Sequence, residues 1–334
     1  MGNSRRRISG VIGRMTQSAA NTTGGVVDTY AEAFRSLYAE VLITARDRKW
    51  LDHAIHASCG HASSTIMCDC EAGLAQYVGP GSRSEIPTPD DRPGALVQFH
   101  VPRFLPNRVE SLESALLARI CQNILTCPTA ACFGCEQPED YFKLGKKIAF
   151  FGDGHQYRDT RFGQQVWVIP ILGGEFTVGR RFGYSDGIMG GNLWFMGRTV
   201  DAALQAAEVA SRAVEDVPGT ITTFPGGVAA SGSKAGSRYS FMVASTYAEY
   251  CPTLRESLGS QSLVPDGVES IMEIIVNGCD LQSVTNASRA AIHASIDTPG
   301  LVQITAGNYG GRLGKSFIHL RDLVPAGTPL LPAS

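Results

Sequence analysis

A strand–helix–strand unit that recurs four times constrains this chain more than any other feature. In the first unit the apolar run Val41-Leu42-Ile43-Thr44-Ala45 predicts a strand. The stretch 49–58 predicts an amphipathic helix, and 64–68 predicts a returning strand that runs into Cys70-Glu71-Ala72-Gly73. The second unit has a strand at 95–99 and a helix over 109–126. There Leu112, Leu116, Ile120 and Ile124 fall at i, i+4 spacing on one face. The third unit has a strand at 192–196, an alanine-rich helix over 201–216 stopped by Gly219, and a strand at 220–224. The fourth has a strand at 273–277, a helix over 281–295 and a strand at 301–305.

Two units per half give β-α-β-β-α-β twice. The expected fold class is therefore α+β, with two ferredoxin-like lobes related by internal duplication, each an open sheet with helices on one face. Between the halves, Ala149-Phe150-Phe151-Gly152-Asp153-Gly154 reads as a strand entering a turn, and 165–169 as its partner strand. The boundary falls near Ile171, giving lobes over 26–171 and 172–330. Residues 1–25 carry Arg5, Arg6, Arg7 and Arg14 among Ser, Thr, Gly and Asn, and are expected to be a disordered extension. The Pro/Asp-rich stretch 86–94 reads as a surface loop.

Composition removes several function classes. A net charge of −2 offers no basic surface for nucleic acid. No apolar run approaches the roughly 18 residues that a membrane span needs. No G-x-G-x-x-G follows the first strand and no G-x-x-x-x-G-K-[ST] occurs, which disfavours Rossmann and P-loop nucleotide sites. Nine cysteines in 334 residues are an odd number in a chain too large to depend on staples. That count and the lack of an apolar signal-peptide core lead us to expect a cytoplasmic protein.

Candidate chemistry concentrates in the second half. One glycine-rich turn reads Phe224-Pro225-Gly226-Gly227, followed by Ser231-Gly232-Ser233-Lys234-Ala235-Gly236-Ser237. Another reads Ala306-Gly307-Asn308-Tyr309-Gly310-Gly311-Arg312-Leu313-Gly314. Between them, Glu273 interrupts the apolar strand Ile271-Met272-Glu273-Ile274-Ile275-Val276 and is expected to be buried. Glycine lets a backbone approach a ligand closely, and N–H groups in such loops form anion-binding nests. The alternative for both loops is tight strand-to-helix geometry with no ligand. For Glu273 it is a solvated or arginine-paired strand acid. Cys68-x-Cys70 and Cys132-x-x-Cys135 supply enough thiols for zinc, but their spacing matches no common zinc ribbon, so buried thiols and no metal are expected. The seven histidines are scattered along the chain.

Many short motifs in one order resemble the formylmethanofuran:tetrahydromethanopterin formyltransferase family. They begin at Asp28-Thr29-Tyr30-Ala31-Glu32-Ala33-Phe34 and include Met67-Cys68, Glu71-Ala72-Gly73, Asp91-Arg92-Pro93-Gly94 and Leu125-Thr126-Cys127-Pro128-Thr129. They continue through Phe150-Phe151-Gly152-Asp153-Gly154, Gly190-Gly191-Asn192, Cys251-Pro252, Glu273-Ile274-Ile275 and both glycine turns to about Leu323.

The resemblance implies a homotetramer with no permanently bound cofactor. Methanofuran and tetrahydromethanopterin would be carrier substrates, with a formyl group moving between the amine of one and N5 of the other. It also implies the bacterial, methylotrophic type, in which the protein joins a formyltransferase/hydrolase complex. A non-catalytic scaffold subunit of that complex is the alternative.

Glu273 matches the family's catalytic carboxylate and becomes the candidate proton relay. Its neighbour four positions on, Asn277, shares its side of the strand and is a candidate to orient a carbonyl or a pterin edge, or simply to turn the chain with Gly278. Gly226, Gly227, Ser231, Ser233, Lys234, Asn308, Tyr309 and Gly310 are the other candidate substrate-binding residues. Lys234, with Arg238 nearby, is the candidate anion contact.

Overall fold

The computed structural model describes residues 24–135, 139–312 and 314–333. The expected extension lies outside the described residues up to position 23. Its last two residues do not extend the tail: Gly25–Val27 forms a strand parallel to Leu301–Thr305.

Six strands and helices in each half carry the architecture. The first half runs β1 (Tyr30–Thr44), α1 (Arg48–Cys59), β2 (Glu71–Val78), β3 (Gly94–Pro102), α2 (Arg108–Arg119) and β4 (Ala131–Gly134). The second runs β5 (Ser185–Gly197), α3 (Val200–Glu215), β6 (Thr220–Thr222), β7 (Ser270–Gly278), α4 (Leu281–Ser295) and β8 (Leu301–Thr305). Pairing gives the spatial order β4-β1-β3-β2 in the first half. It gives β8-β5-β7-β6 in the second. The two groups are not separate sheets. The start of β5 pairs with the middle of β1, from Ser185 opposite Tyr38 to Met189 opposite Phe34, so one mixed 14-stranded sheet runs through both.

The helices follow from their caps and faces. Asp47, Thr199 and Asp280 each accept a backbone N–H of the first turn and start α1, α3 and α4. In the first half Leu51, Ile55, Leu112 and Leu116 pack on Val41, Val97 and Phe99. In the second, alanine faces (Ala206, Ala207 and Ala210 on α3; Ala287 and Ala291 on α4) let both helices lie close to Phe195, Ile274 and Val276. Residue 86–94 is irregular up to Gly94, as expected of a loop.

Two predicted strands are wrong. Residues 64–68 form tight turns, in which the N–H groups of Met67 and Cys68 both donate to the Ser64 carbonyl. Ile66 and Met67 are exposed, and the returning strand is Glu71–Val78 instead. The apolar letters imitated a strand that has no sheet partner. Residues 149–152 end a helix (Leu144–Ala149) and form a 3₁₀ turn, leaving Phe150 and Phe151 exposed while Leu144 and Ile148 pack inside. The 165–169 strand exists within Gln164–Ile171, but it pairs with Tyr157–Arg161 and Gly174–Gly179.

Candidate active site

Glu273 is the fourth residue of β7 and sits directly opposite Trp194 of β5. It is 9% exposed. Trp194 Nε1 and Asn192 Nδ2 both donate to its Oε1, at 2.9 and 3.0 Å. Burial raises the carboxyl above its ordinary pKa, and these two neutral donors offset that only in part. With both acceptor positions of Oε1 used, a proton on this carboxyl sits on Oε2. Tyr250 and Tyr247 hold the Trp194 ring edge-on, with centroids 4.8 and 5.7 Å away.

A cavity of about 670 Å³ opens over Glu273, with Glu71, Phe104, Asn192, Ser231 and Tyr309 among its lining residues. Its walls come from both halves of the chain. A smaller cleft of about 160 Å³ shares Glu273, Ser231 and Gly232 and extends to Trp194, Tyr250 and Pro252.

The first glycine-rich segment reaches this cavity through Phe224 at its start and through its later part. Ala229 and Glu273 exchange backbone hydrogen bonds of 2.8 and 2.9 Å, which lays the chain beside the acid and brings Ser231 and Ser233 to the cavity wall. Gly226 and Gly227 do not line it. Both have positive φ, 64° and 77°. A Cβ on Gly227 would stand 2.0 Å from Ser211 Oγ and 2.5 Å from Thr222 Oγ1, so close packing against α3 requires this glycine. Gly227→Ala is expected to cost about 2 kcal/mol or more of stability through strain and overlap. A urea midpoint unchanged from wild type would sink that assignment.

The second glycine turn is fastened by the acid Glu32 of β1. This carboxylate is 1% exposed and accepts the backbone N–H groups of Tyr309, Gly311 and Gly314, the last two at 2.8 and 3.0 Å. Tyr309 Oη donates to the Ser233 carbonyl at 2.9 Å and so joins the two glycine segments over the cavity. Burial, with the Glu273 charge next, pushes its phenol to about 12, so it stays neutral. Asn308 points elsewhere: its amide donates to Thr29 Oγ1 at 2.9 Å, and it lines a neighbouring cleft of about 470 Å³ with Trp194 and Tyr247. Gly310 has φ 66° with open space around it, so backbone conformation alone favours glycine there.

Asn277 is fully buried and does not line the cavity. Its Nδ2 donates to Glu71 Oε2 at 2.8 Å and its Oδ1 accepts the Gly190 N–H at 3.0 Å. The predicted shared side of the strand places it behind Glu71, another acid of the cavity wall. Burial raises Glu71 as well, with Asn277 and Thr65 as partial offsets.

Lys234 lies outside the cavity, 3.2 Å from both carboxylate oxygens of Glu249. Among the described residues no Lys, Arg or His lines this cavity. Cys70 and Cys132 are buried in the core, and burial pushes both thiols up, away from the thiolate that a metal needs.

The pattern of matches to known proteins is uniform. Residues 21–171 match the family model described as formylmethanofuran-tetrahydromethanopterin formyltransferase, and 174–323 match its companion described as the proximal lobe. The chain belongs to the formylmethanofuran–tetrahydromethanopterin formyltransferase family. Membership makes it an acyltransferase enzyme. The formyltransferase of Methanocaldococcus jannaschii is 43% identical over 303 residues, covering 89% of this chain and 97% of the relative. That of Methanopyrus kandleri is 42% identical over the same shares.

The solved formyltransferase from Methanosarcina barkeri superposes with a TM-score of 0.83 at 40% identity, covering 90% of this chain and 98% of that one. A second solved structure is the formyltransferase/hydrolase complex of Methylorubrum extorquens in complex with methylofuran. It gives a TM-score of 0.81 at 38% identity, covering 91% of this chain and 97% of that one.

Sequence reasoning missed Asn192, Trp194, Glu71 and Glu32 as parts of the site. Asn192, Glu71 and Glu32 stand in the motifs quoted above. Only the strand register puts Asn192 and Trp194 beside Glu273.

Proposed function

We propose that this chain transfers a formyl group between the amine of a methanofuran-type carrier and N5 of tetrahydromethanopterin, in the cavity over Glu273. The observation that carries the reading is a buried, cation-free carboxyl with an elevated pKa, fixed by two neutral donors at the floor of a cavity large enough for two reacting groups.

The attacking nitrogen adds its lone pair to the formyl carbon and forms a new C–N bond. The carbonyl π pair moves to oxygen, giving a tetrahedral intermediate. Return of that pair breaks the old C–N bond and expels the other carrier's amine. One proton leaves the attacker and one arrives on the leaving nitrogen. Neutral Glu273 can give the second and receive the first, ending as it began. Its O–H, before transfer, also faces the developing oxyanion as a donor. Ser231, Ser233 and Tyr309 shape the wall that holds the carriers in line, which supplies much of the rate. No resident cofactor enters this step.

Each half has the strand order and helix placement of a ferredoxin-like lobe. We therefore read two such lobes, 26–171 and 172–330, with the cavity between them. A homotetramer, a cytoplasmic location and membership of a formyltransferase/hydrolase complex complete the reading. The likeness to the Methylorubrum extorquens complex supports the last of these. No helix among the described residues is long and apolar enough to cross a membrane.

The direct test is formyl transfer between the two purified carriers. Product from the purified chain supports catalysis. Failure to form product even with the hydrolase subunits added would favour the scaffold alternative.

Trp194 gives a finer test. Its indole N–H lowers the pKa of Glu273, so Trp194→Phe raises it further. Transfer needs the neutral acid, and the rate falls as pH rises through that pKa. The alkaline limb of the pH–rate profile is expected to move to higher pH in Trp194→Phe; a limb that stays put or moves down would contradict the role given to Glu273.

A further inference from the structure

Phe224 holds a backbone conformation that a phenylalanine seldom takes. Its φ is 72° and its ψ is 161°. Residues with a side chain are strained there, whereas glycine enters that region freely. Pro225 follows, and a residue before proline ordinarily sits at φ of about −120°. Glycines stand two and three positions on, at Gly226 and Gly227, yet position 224 keeps an aromatic ring. Packing in an apolar core does not offset the strain: among the described residues, Phe224 joins none of the cores and packs on none. It is partly exposed and lines the cavity over Glu273.

Sheet pairing says where along the cavity Phe224 stands. β6 pairs with β7 up to Thr222 opposite Val276, and the Thr223 N–H donates to the Ile275 carbonyl at 3.4 Å. The chain then leaves the sheet and returns at Ala229, opposite Glu273. Phe224 opens that excursion, so it enters the wall beside the stretch of β7 from Ile275 to Glu273. Those two residues are two apart and share a face of the strand. Ile275 is partly exposed and lines the same cavity. Met67 and Phe104, 80% and 70% exposed, add further apolar surface to it. Such surface suits the faces of a flat heterocycle and leaves its edge to polar groups.

We propose that Phe224 is a further substrate-contacting residue, whose ring packs against the flat heterocycle of one carrier and so sets the reacting nitrogen at Glu273. The inference rests on the formyl-transfer reading above. A contact to the face of a ring uses neither the N–H nor the lone pair of that nitrogen. The lone pair stays free for the formyl carbon and the proton for Glu273. The constrained backbone fixes Phe224 before the carrier arrives, so little freedom is lost on binding. The reduced pterin and the furan both present such a ring, and the contact serves one of them.

The formylated furan carrier and the unformylated pterin carrier do not turn over when each is offered alone. Their dissociation constants are measured separately by calorimetry for wild type, Phe224→Tyr, Phe224→Leu and Phe224→Gly, with thermal melts alongside. Phe224→Tyr, which keeps the ring, is expected to bind both carriers as wild type does. Phe224→Leu and Phe224→Gly are expected to bind one carrier roughly tenfold more weakly and the other unchanged. The weakened carrier is the one whose ring lies on Phe224. The melting midpoint of Phe224→Gly stays near that of wild type, because relief of strain opposes the greater freedom of its unfolded chain.

Wild-type affinity for both carriers in Phe224→Gly would overturn the proposal, as would equal weakening of both. Any pattern in which leucine and tyrosine behave alike would do the same, since bulk and not the ring face would then decide binding. A Phe224→Gly midpoint far below wild type, or failure to fold, would show that the chain itself needs the ring and would also overturn it. Formyl transfer by wild type alongside an overturning result removes the Phe224 contact alone. Absence of transfer removes the functional reading and this contact with it.

Discussion

Glu273→Gln is expected to lower the rate of formyl transfer by roughly 10²- to 10⁴-fold, the usual worth of a positioned acid–base group. The substitution is nearly isosteric. The glutamine Oε1 still accepts from Trp194 Nε1 and Asn192 Nδ2, which now meet Glu273 Oε1 at 2.9 and 3.0 Å. The fold should therefore survive, and KM for both carriers should change little, so the loss falls on kcat. What disappears is the transferable proton on the second oxygen.

The same side chain makes a prediction about stability. Burial holds the folded-state pKa above the ordinary 4.5, so the folded protein binds more protons than the unfolded chain in the interval between the two values. Stability from this group is full below 4.5 and falls as pH rises through the folded pKa. Glu273→Gln removes that fall. Transfer at near wild-type kcat, or a pH dependence of stability unchanged on that side, would count against a buried, neutral Glu273.

How much of this was readable in the letters depended on how local the determinant was. The helices over 281–295 and 201–216 were legible because caps and apolar spacing lie within one segment. The strand 301–305 was legible from Leu301, Val302, Ile304 and the β-branched Thr305 just before a glycine turn. The 64–68 stretch misled because Thr65-Ile66-Met67 has strand composition, while the sheet takes its neighbour Glu71–Val78 as the partner of β3. Composition cannot say which of two adjacent segments finds a free edge.

The site divides in the same way. An acid within Ile271-Met272-Glu273-Ile274 stands out in one dimension. Its partners sit 79 and 81 positions away, across a strand register that no local pattern encodes. Gly226 and Lys234 looked like ligand contacts because glycine-rich and basic loops often are. The first turns the chain at positive φ, and the second faces Glu249.

Glu32→Ala should cost about 3 kcal/mol or more, the larger of the two stability losses expected here. The carboxylate is 1% exposed and accepts the backbone N–H groups of Tyr309, Gly311 and Gly314 in the 306–314 turn. Hydrogen bonds to a charged acceptor are each worth more than neutral ones, and an alanine leaves the donors buried and unsatisfied. Adding such contributions one by one would overshoot, because the turn can open locally and wet its own N–H groups.

The loss should therefore show twice. The denaturant midpoint falls, and the turn becomes a site of proteolytic cleavage under native conditions. Tyr309 travels with the turn, so its bond to the Ser233 carbonyl goes too, and the cavity loses the strap between its glycine segments. Transfer should then weaken chiefly through KM.

Glu32→Gln separates charge from geometry. Its carbonyl oxygen can still accept the Tyr309 and Gly311 N–H groups that now meet Oε1. Its amide nitrogen, however, faces the Gly314 N–H that now donates to Oε2 at 3.0 Å, two donors against each other. The glutamine variant should thus lie between wild type and alanine in both stability and cleavage. If Glu32→Ala unfolds at the wild-type midpoint and resists cleavage at the turn, Glu32 does not hold the loop, and the position of Tyr309 over the cavity needs another cause.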